Sequence, residues 1–414
     1  MLHYSAPPVI GGVEAVMLAH SRLLVEAGVR VGVVAGRGEQ GSLPDGARLH
    51  LVPEMDSQNP SILAMNEQLE QGRVPDSFSA MVDVLSDRLA HQLAPYDKLV
   101  VHNVFTKHFN LPLTAALFRL LEKNRLPPCF AWCHDFTWTS PSSRSKVFPG
   151  YPWDLLRSRA PKVIYVVVSK RRQAVLAELL GITVAEVQVV YNGVSVDRLL
   201  GLSAEGEVLA ERLGLMDSDL ILLMPVRVTQ AKNIEFAMQV VAVLKRSNPG
   251  VRLVITGPPD PHSAASLAYF DSLRVLRAEL DIKDEVRFVF ESGTDAGEGF
   301  YIDEGIVGDL YRLADVMFMP SHREGFGMPV LEAGMVGLPV VATSVPAADE
   351  IGGENTLIFD ATASAEDVAE EILVLVTGNP AAALRRLVRR RYTWPQVFRH
   401  DILPLLASVT EDLE

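Results

Sequence analysis

Cysteine, long apolar runs and excess basic charge are all scarce in this chain, and each shortage removes a class of protein. Cysteine occurs only as Cys129 and Cys133 in 414 residues. That count excludes a disulfide scaffold. A metal site built on the pair with His134 would have only three ligands and no second pair at zinc-ribbon spacing, so two buried strand cysteines in a reducing compartment are expected. The longest apolar runs, at 163–168 and 220–226, are strand-sized, well short of the ~20 residues that span a bilayer. No basic stretch precedes a hydrophobic core at the N-terminus, so no signal peptide is expected and the expected location is cytoplasmic. A net charge of −13, without any recognisable binding motif, argues against nucleic acid as a partner.

What is present is an ordinary globular composition, 48% hydrophobic and 21% charged, without low-complexity segments. The length suits two domains of usual size. Charge is uneven: residues 1–195 carry a net +2 and residues 196–414 a net −15. Such asymmetry suggests two domains with different jobs. In the first half, Arg144, Lys146, Arg157, Arg159, Lys162, Lys170, Arg171 and Arg172 form a locally basic stretch. It suits an anionic acceptor or an anionic membrane surface, and equally a solvated face balancing acidic neighbours.

Strand-like runs alternate with helical periodicity through most of the chain. Runs at 2–5, 29–34, 98–102, 129–133, 163–168 and 187–191 are read as strands, with a helix over 14–26. After the Asn192-Gly193 turn signal the pattern restarts, with strands at 220–226, 251–257, 286–290, 316–319 and 338–343 and a helix near 233–247. This is the logic of mostly parallel α/β sheets. Two doubly wound Rossmann-like domains are expected, 1–195 and 196–393. Such sheets bind ligands at the carboxyl ends of their strands, so the two are expected to face each other across a cleft.

Three clusters carry candidate chemistry. Gly11-Gly12-Val13-Glu14 opens the first helix, where glycines let backbone amides approach a ligand, although a Gly-Gly is usually only a turn. Arg227 and Lys232 lie in the loop after the first strand of the second domain, where two fixed cations can neutralise a diphosphate without a metal. Lys232 alone reads as easily as helix-surface charge. The third cluster is EGFGMPVLE, from Glu324 to Glu332, a strand-to-helix turn with carboxylates at both ends. Glu324 at its tip suits the hydroxyls of a sugar-like group, and Glu332 can grip the two hydroxyls of a ribose. Between them the helix N-terminus, with the backbone of Gly325, Phe326, Gly327 and Met328, suits phosphate. As structural features, both glutamates are favourable N-terminal helix charges, which leaves the glycine-flanked Glu324 unexplained.

These motifs, in this order, resemble the retaining nucleotide-sugar glycosyltransferases of family 4, which have the GT-B fold. Glu324 and Glu332 match the family's E-x7-E signature and Arg227 and Lys232 its R-x4-K pair. Gly11-Gly12-Val13-Glu14 is similar to its N-terminal glycine loop, and His134-Asp135 in WCHDF to its first-domain histidine. Tyr392-Thr393-Trp394 is similar to the segment leading into a final helix, 394–414, that crosses back onto the first domain. The likeness extends over essentially the whole chain. Asn233 departs from it, standing where a glycine often follows the lysine, and the loop 292–308 is longer and more acidic than usual.

The resemblance implies a hexosyltransferase that retains anomeric configuration and has no obligatory cofactor or metal. Glu324 would bind the donor hexose, Glu332 the ribose, and Arg227, Lys232 and Gly12 the diphosphate, with Gly11, Phe326 and Leu331 also on the donor side. His134 would orient the transferred sugar. Asp135, Arg144 and His102 are candidate acceptor contacts, with His108 behind them. UDP-glucose and GDP-mannose both suit the donor site. A small anionic sugar or a glycerate-like acceptor is expected, with a lipid-linked acceptor at a membrane surface, an NDP-sugar epimerase and a non-catalytic binding protein as alternatives. Oligomeric state is left open.

Overall fold

The computed structural model describes residues 1–293 and 299–408. The chain passes between two compact units twice: Met1–Gly193 is joined in the first unit by the segment beginning at Trp394, and Val194–Thr393 forms the second.

The first unit contains β1 (Val31–Ala35), β2 (Ala47–Leu51), β3 (Leu99–His102), β4 (Cys129–Cys133), β5 (Val163–Val167) and β6 (Val187–Val189). β3 to β6 pair in sequence order, all parallel, and β1 pairs with β2. Leu2 joins the two sets through single parallel bridges to Val34 and Val101. The expected first strand is therefore one bridging residue. Successive residues go to opposite faces: Cys129, Ala131 and Cys133 enter one apolar cluster, and Phe130 and Trp132 enter the other. Burial of both faces is why these strands read as unbroken apolar runs.

Val397, Phe398 and Ile402 of the C-terminal segment pack in the same cluster as Met17, Leu24 and Trp132. Gly193 gives that segment room, because a Cβ there would lie 2.7 Å from the Trp394 backbone. The Asn192-Gly193 signal thus marks a close approach of two chain passages. Cys129 and Cys133 are buried free thiols, and burial pushes the Cys133 thiol up to about 12. Among the described residues no group of three or more His, Cys, Asp or Glu side chains is placed to hold a metal.

The second unit has β7 (Leu220–Met224), β8 (Val251–Ile255), β9 (Val286–Phe288), β10 (Val316–Met319), β11 (Val340–Thr343) and β12 (Leu357–Phe359), ordered β12-β11-β10-β7-β8-β9 and all parallel. Leu220, Leu222 and Met224 face one cluster, Ile221 and Leu223 the other. The chain starts at β7, builds outward through β8 and β9, then returns to place β10 on β7's other side. Neighbouring strands whose connections leave in opposite directions make a topological switch point, where the loops beyond the strand ends part and leave a crevice. Among the described residues no helix is long and apolar enough to cross a membrane. The acidic loop singled out at 292–308 lies partly outside the described residues, at 294–298.

Candidate active site

The loops after β7 and β10 meet at the second unit's switch point. His322 donates its backbone N–H to the Ala231 carbonyl at 2.9 Å, which ties one loop to the other. Lys232 Nζ donates to Glu324 Oε1, and Ser321 Oγ donates to the same oxygen at 2.9 Å. The Ser321 carbonyl in turn accepts from Thr343 Oγ1 at 2.6 Å, so the loop is also held from β11. Side-chain exposures of 20% for Lys232 and 10% for Glu324 put the pair at the mouth of the crevice. The two residues assigned separate jobs in the sequence are therefore hydrogen-bonded partners.

Local backbone explains how each gets there. Lys232 ends a short 3-10 turn, Gln230–Lys232, instead of beginning the helix, which runs over Ile234–Lys245. Asn233 between them has φ +51° and ψ +48°. That left-handed conformation is accessible to asparagine as well as glycine, which accounts for Asn233 where the family often has glycine. Gly327 has φ +100° and precedes the helix Met328–Met335, with Pro329 in its first turn. The Phe326 carbonyl accepts from Ala347 N–H at 2.8 Å, and nothing lies within 4 Å of where a Gly325 Cβ would be. The tip of the turn thus has space beside it. Leu331 is half-buried one turn further on.

Glu332 is exposed, and its Oε2 accepts from Tyr311 Oη at 2.5 Å. Burial and the adjacent carboxylate both raise the Tyr311 phenol, so it stays a donor. Arg227 is exposed three residues beyond β7, and none of the described residues forms an ion pair or side-chain hydrogen bond with it. Gly257 lets its backbone pass, since a Cβ there would lie 2.7 Å from Arg227 Cα.

The first unit has its own switch point, between Leu2 and β3. His3 Nδ1 donates to the His102 carbonyl at 2.9 Å, and His102 Nδ1 lies 3.3 Å from His134 Nε2. His20 packs 5.8 Å from His102 and 4.9 Å from Trp132, between ring centroids. His134 follows β4 directly, with its backbone N–H on Asn103 Oδ1 at 2.7 Å. Burial above all, then neighbouring charges including His3, lowers the His134 pKa to about 4. For His20, burial and then His134 lower it to about 3. All three imidazoles at the centre of this group are neutral near pH 7, His102 held well below its ordinary range first by burial.

The remaining candidate residues at this edge are mostly buried or already partnered. His102 is fully buried, and His108 is buried with its ring on Thr137 Oγ1 at 3.0 Å. Arg144 lies over the Trp138 ring at 4.4 Å, with Arg157 on the same ring at 4.0 Å, and donates to the Val147 carbonyl. Gly11 makes room for a side chain of its own loop: its Cβ would lie 2.1 Å from Glu14 Oε2, while Ser5 Oγ donates to Glu14 Oε1 at 2.5 Å. Of these two glycines, Gly12 is the one with nothing within 4 Å of where a Cβ would be. Asp135 is exposed and paired with Arg172 at 2.7 Å. Much of the basic stretch is neutralised likewise, by Lys146–Glu70, Arg157–Asp154 and Arg159–Glu186 pairs at 2.9 Å each.

Residues 207–392 match the family model described as glycosyl transferases group 1. The matched region takes in most of the second unit. Its switch-point loops, with Lys232, Glu324 and Glu332, lie wholly inside the matched region. The chain is 33% identical over 210 residues to a D-inositol 3-phosphate glycosyltransferase of Streptomyces avermitilis, covering 49% of this chain and 39% of that protein. It is 32% identical over 228 residues to one of Kineococcus radiotolerans, covering 53% and 47%. The matches thus span less than half the length of those relatives. A crystal structure of Anabaena HepE in complex with UDP aligns over 98% of this chain and 99% of that one at 17% identity, with a TM-score of 0.35, too low to argue from.

Within the matched region, sequence reasoning missed Tyr311 and Ser321, which hold the two glutamates. In the first unit it missed His3, His20, Asn103 and Lys107. Lys107 is half-buried, and burial lowers its pKa against the opposing charge of Asp135, with Arg172 adding to the lowering. A histidine following an apolar strand run was a usable signal for His102, yet spacing alone does not say which strand ends are neighbours.

Proposed function

We propose that the chain transfers a hexose from a nucleotide diphosphate sugar to an acceptor hydroxyl, with retention and without an obligatory metal ion. The observation that carries this reading is the Lys232–Glu324 pair at the second unit's switch point. Cleaving the bond between the anomeric carbon and the diphosphate develops positive character on the sugar and negative charge on the leaving phosphate. Lys232, already positioned by Glu324, and the exposed Arg227 stabilise that phosphate. Glu324 accepts from hexose hydroxyls and Glu332 from the ribose. The acceptor hydroxyl attacks from the face the diphosphate leaves, forming the new C–O bond as the old one breaks, and its proton goes to the departing phosphate oxygen. Preorganised donors of this kind are worth about 3 kcal/mol each in the transition state. UDP-glucose and GDP-mannose are the donors to test first.

An anionic acceptor is favoured by the name the relatives carry, a glycosyltransferase acting on D-inositol 3-phosphate. Lys107 and Arg172 also outnumber Asp135 at the first unit's edge, leaving net positive charge near His134. The membrane-surface alternative loses support, because much of the basic stretch is already paired.

A thermal-shift panel of nucleotides and nucleotide sugars tests the donor, since a ligand of the folded state raises its melting temperature. Transfer to phosphorylated and neutral polyols, with and without excess chelator, tests the rest. Retained configuration and full activity in chelator are expected. A donor epimerised without acceptor, or activity abolished by chelator, overturns the reading.

A further inference from the structure

His102 is fully buried, and its ring stacks on His134 with centroids 5.6 Å apart at an interplanar angle of 22°. Between His102 Nδ1 and His134 Nε2, 3.3 Å apart, one proton can be shared. With both rings neutral there are two assignments. In one, His134 Nε2–H donates, and the remaining proton of His102 sits on Nε2, a buried nitrogen with no partner. In the other, His102 Nδ1–H donates and its Nε2 is a bare acceptor.

Two observations separate them. An orphaned buried N–H is a rarer feature of folded proteins than an under-used acceptor. Trp132 Nε1–H, an obligate donor, is itself buried without a partner among the described residues, and its ring lies 6.0 Å from that of His102 between centroids. Beside an unpaired donor, a lone pair on His102 Nε2 is favoured and a second N–H is not. His3 turns its Nδ1–H to the His102 carbonyl and its Nε2 lies 3.9 Å from Glu14 Oε1, so neither of its nitrogens partners His102 Nε2.

The geometry therefore points to His102 as a positioning residue that donates Nδ1–H to His134 Nε2 and holds His134 in its Nδ1–H tautomer. Nδ1 of His134 has no partner among the described residues and is not among the buried orphaned atoms, so it is the nitrogen open to a ligand. On the proposed transfer reading, on which this inference rests, His134 offers the bound sugar a hydrogen-bond donor and takes no proton from the acceptor. That agrees with a route in which the departing phosphate receives the acceptor's proton.

The test is a long-range proton–nitrogen NMR spectrum of the full chain labelled at histidine nitrogens, with His134 assigned through His134→Gln. His134 Nδ1 protonated and Nε2 bare in the ligand-free protein is expected, and the opposite pattern overturns the inference whether or not the protein transfers sugar. As the functional arm, His102→Phe should lower turnover about tenfold, a common size for loss of a residue that orients another, with donor KM within twofold. His102→Asn, which keeps an N–H near the Nδ1 position, should restore most of it. His102→Phe leaving both the His134 tautomer and turnover unchanged would also overturn it. Failure to bind any nucleotide sugar in the thermal-shift panel would instead refute the transfer reading and leave the tautomer result standing.

Discussion

The carboxyl edges of the two sheets are built by the same topological rule and come out chemically opposite. In the second unit the switch-point loops bring together Lys232 and Glu324, a charged pair at the surface of a crevice. In the first unit they bring together His3, His102 and His134, with His20 behind them, as buried neutral rings. The difference lies in what surrounds each edge. Trp132, Trp394 and the histidines cover one another in the first unit, whereas Gly325 and Arg227 leave the second open. An open edge keeps charges hydrated enough to stay charged, while a covered one disfavours them.

The strongest way to break the comparison is to remove charge from the open edge. Lys232→Ala is expected to lower turnover by about 100- to 1,000-fold, with the tryptophan fluorescence of the first unit unchanged. Near-normal transfer in a steady-state assay would remove Lys232 from the mechanism.

Acid should act on the other edge. Burial depresses the folded-state pKa of His134 to about 4 and of His20 to about 3 from an ordinary 6.5, so both take up protons on unfolding. Stability from these groups is fully present above pH 6.5 and is lost as pH falls toward the folded values, by about 3 kcal/mol for His134 alone near pH 4. All four tryptophans, Trp132, Trp138, Trp153 and Trp394, lie in the first unit. Urea titrations followed by their fluorescence at pH 7 and pH 4.5 should show the midpoint falling, and a pH-independent midpoint would contradict the buried-neutral description.

A smaller effect is expected at Tyr311. Tyr311→Phe leaves Glu332 exposed but unheld, and the lost hydrogen bond should weaken donor binding by about 1 kcal/mol, roughly fivefold in KM, with turnover nearly constant. Equal losses in both parameters would show that Tyr311 acts on the transition state instead.

The smallest is Arg144→Ala, which removes a cation from the Trp138 face and should cost about 0.5–1 kcal/mol of stability with no change in acceptor KM. A large rise in acceptor KM would return Arg144 to the acceptor site.

Most central strands were legible because parallel strands buried on both faces are runs of aliphatic residues, as in β5 and β7. β2, with the mixed sequence ARLHL, and the three-residue β12 were missed, since their burial is partial and their patterns correspondingly weak. The bridge at Leu2 is one residue long and leaves no periodic trace. Among site residues, the Glu324 turn could be read from its glycines and the helix that follows. The Lys232–Glu324 pair could not, because those residues are 92 positions apart and meet only through the adjacency of β7 and β10.

By itself the sequence determined what depends on neighbouring residues: strand and helix alternation, the left-handed positions at Asn233 and Gly327, and the placing of titratable groups at strand ends. Those follow from local sterics and from burial periodicity, which act over a few residues. Tertiary structure decided which strand ends are neighbours, and hence that Lys232 meets Glu324, that Tyr311 holds Glu332 and that His102 lies beneath His134. Only then do burial and hydrogen bonding set protonation, because a histidine's charge and tautomer depend on the groups brought against it from elsewhere in the chain.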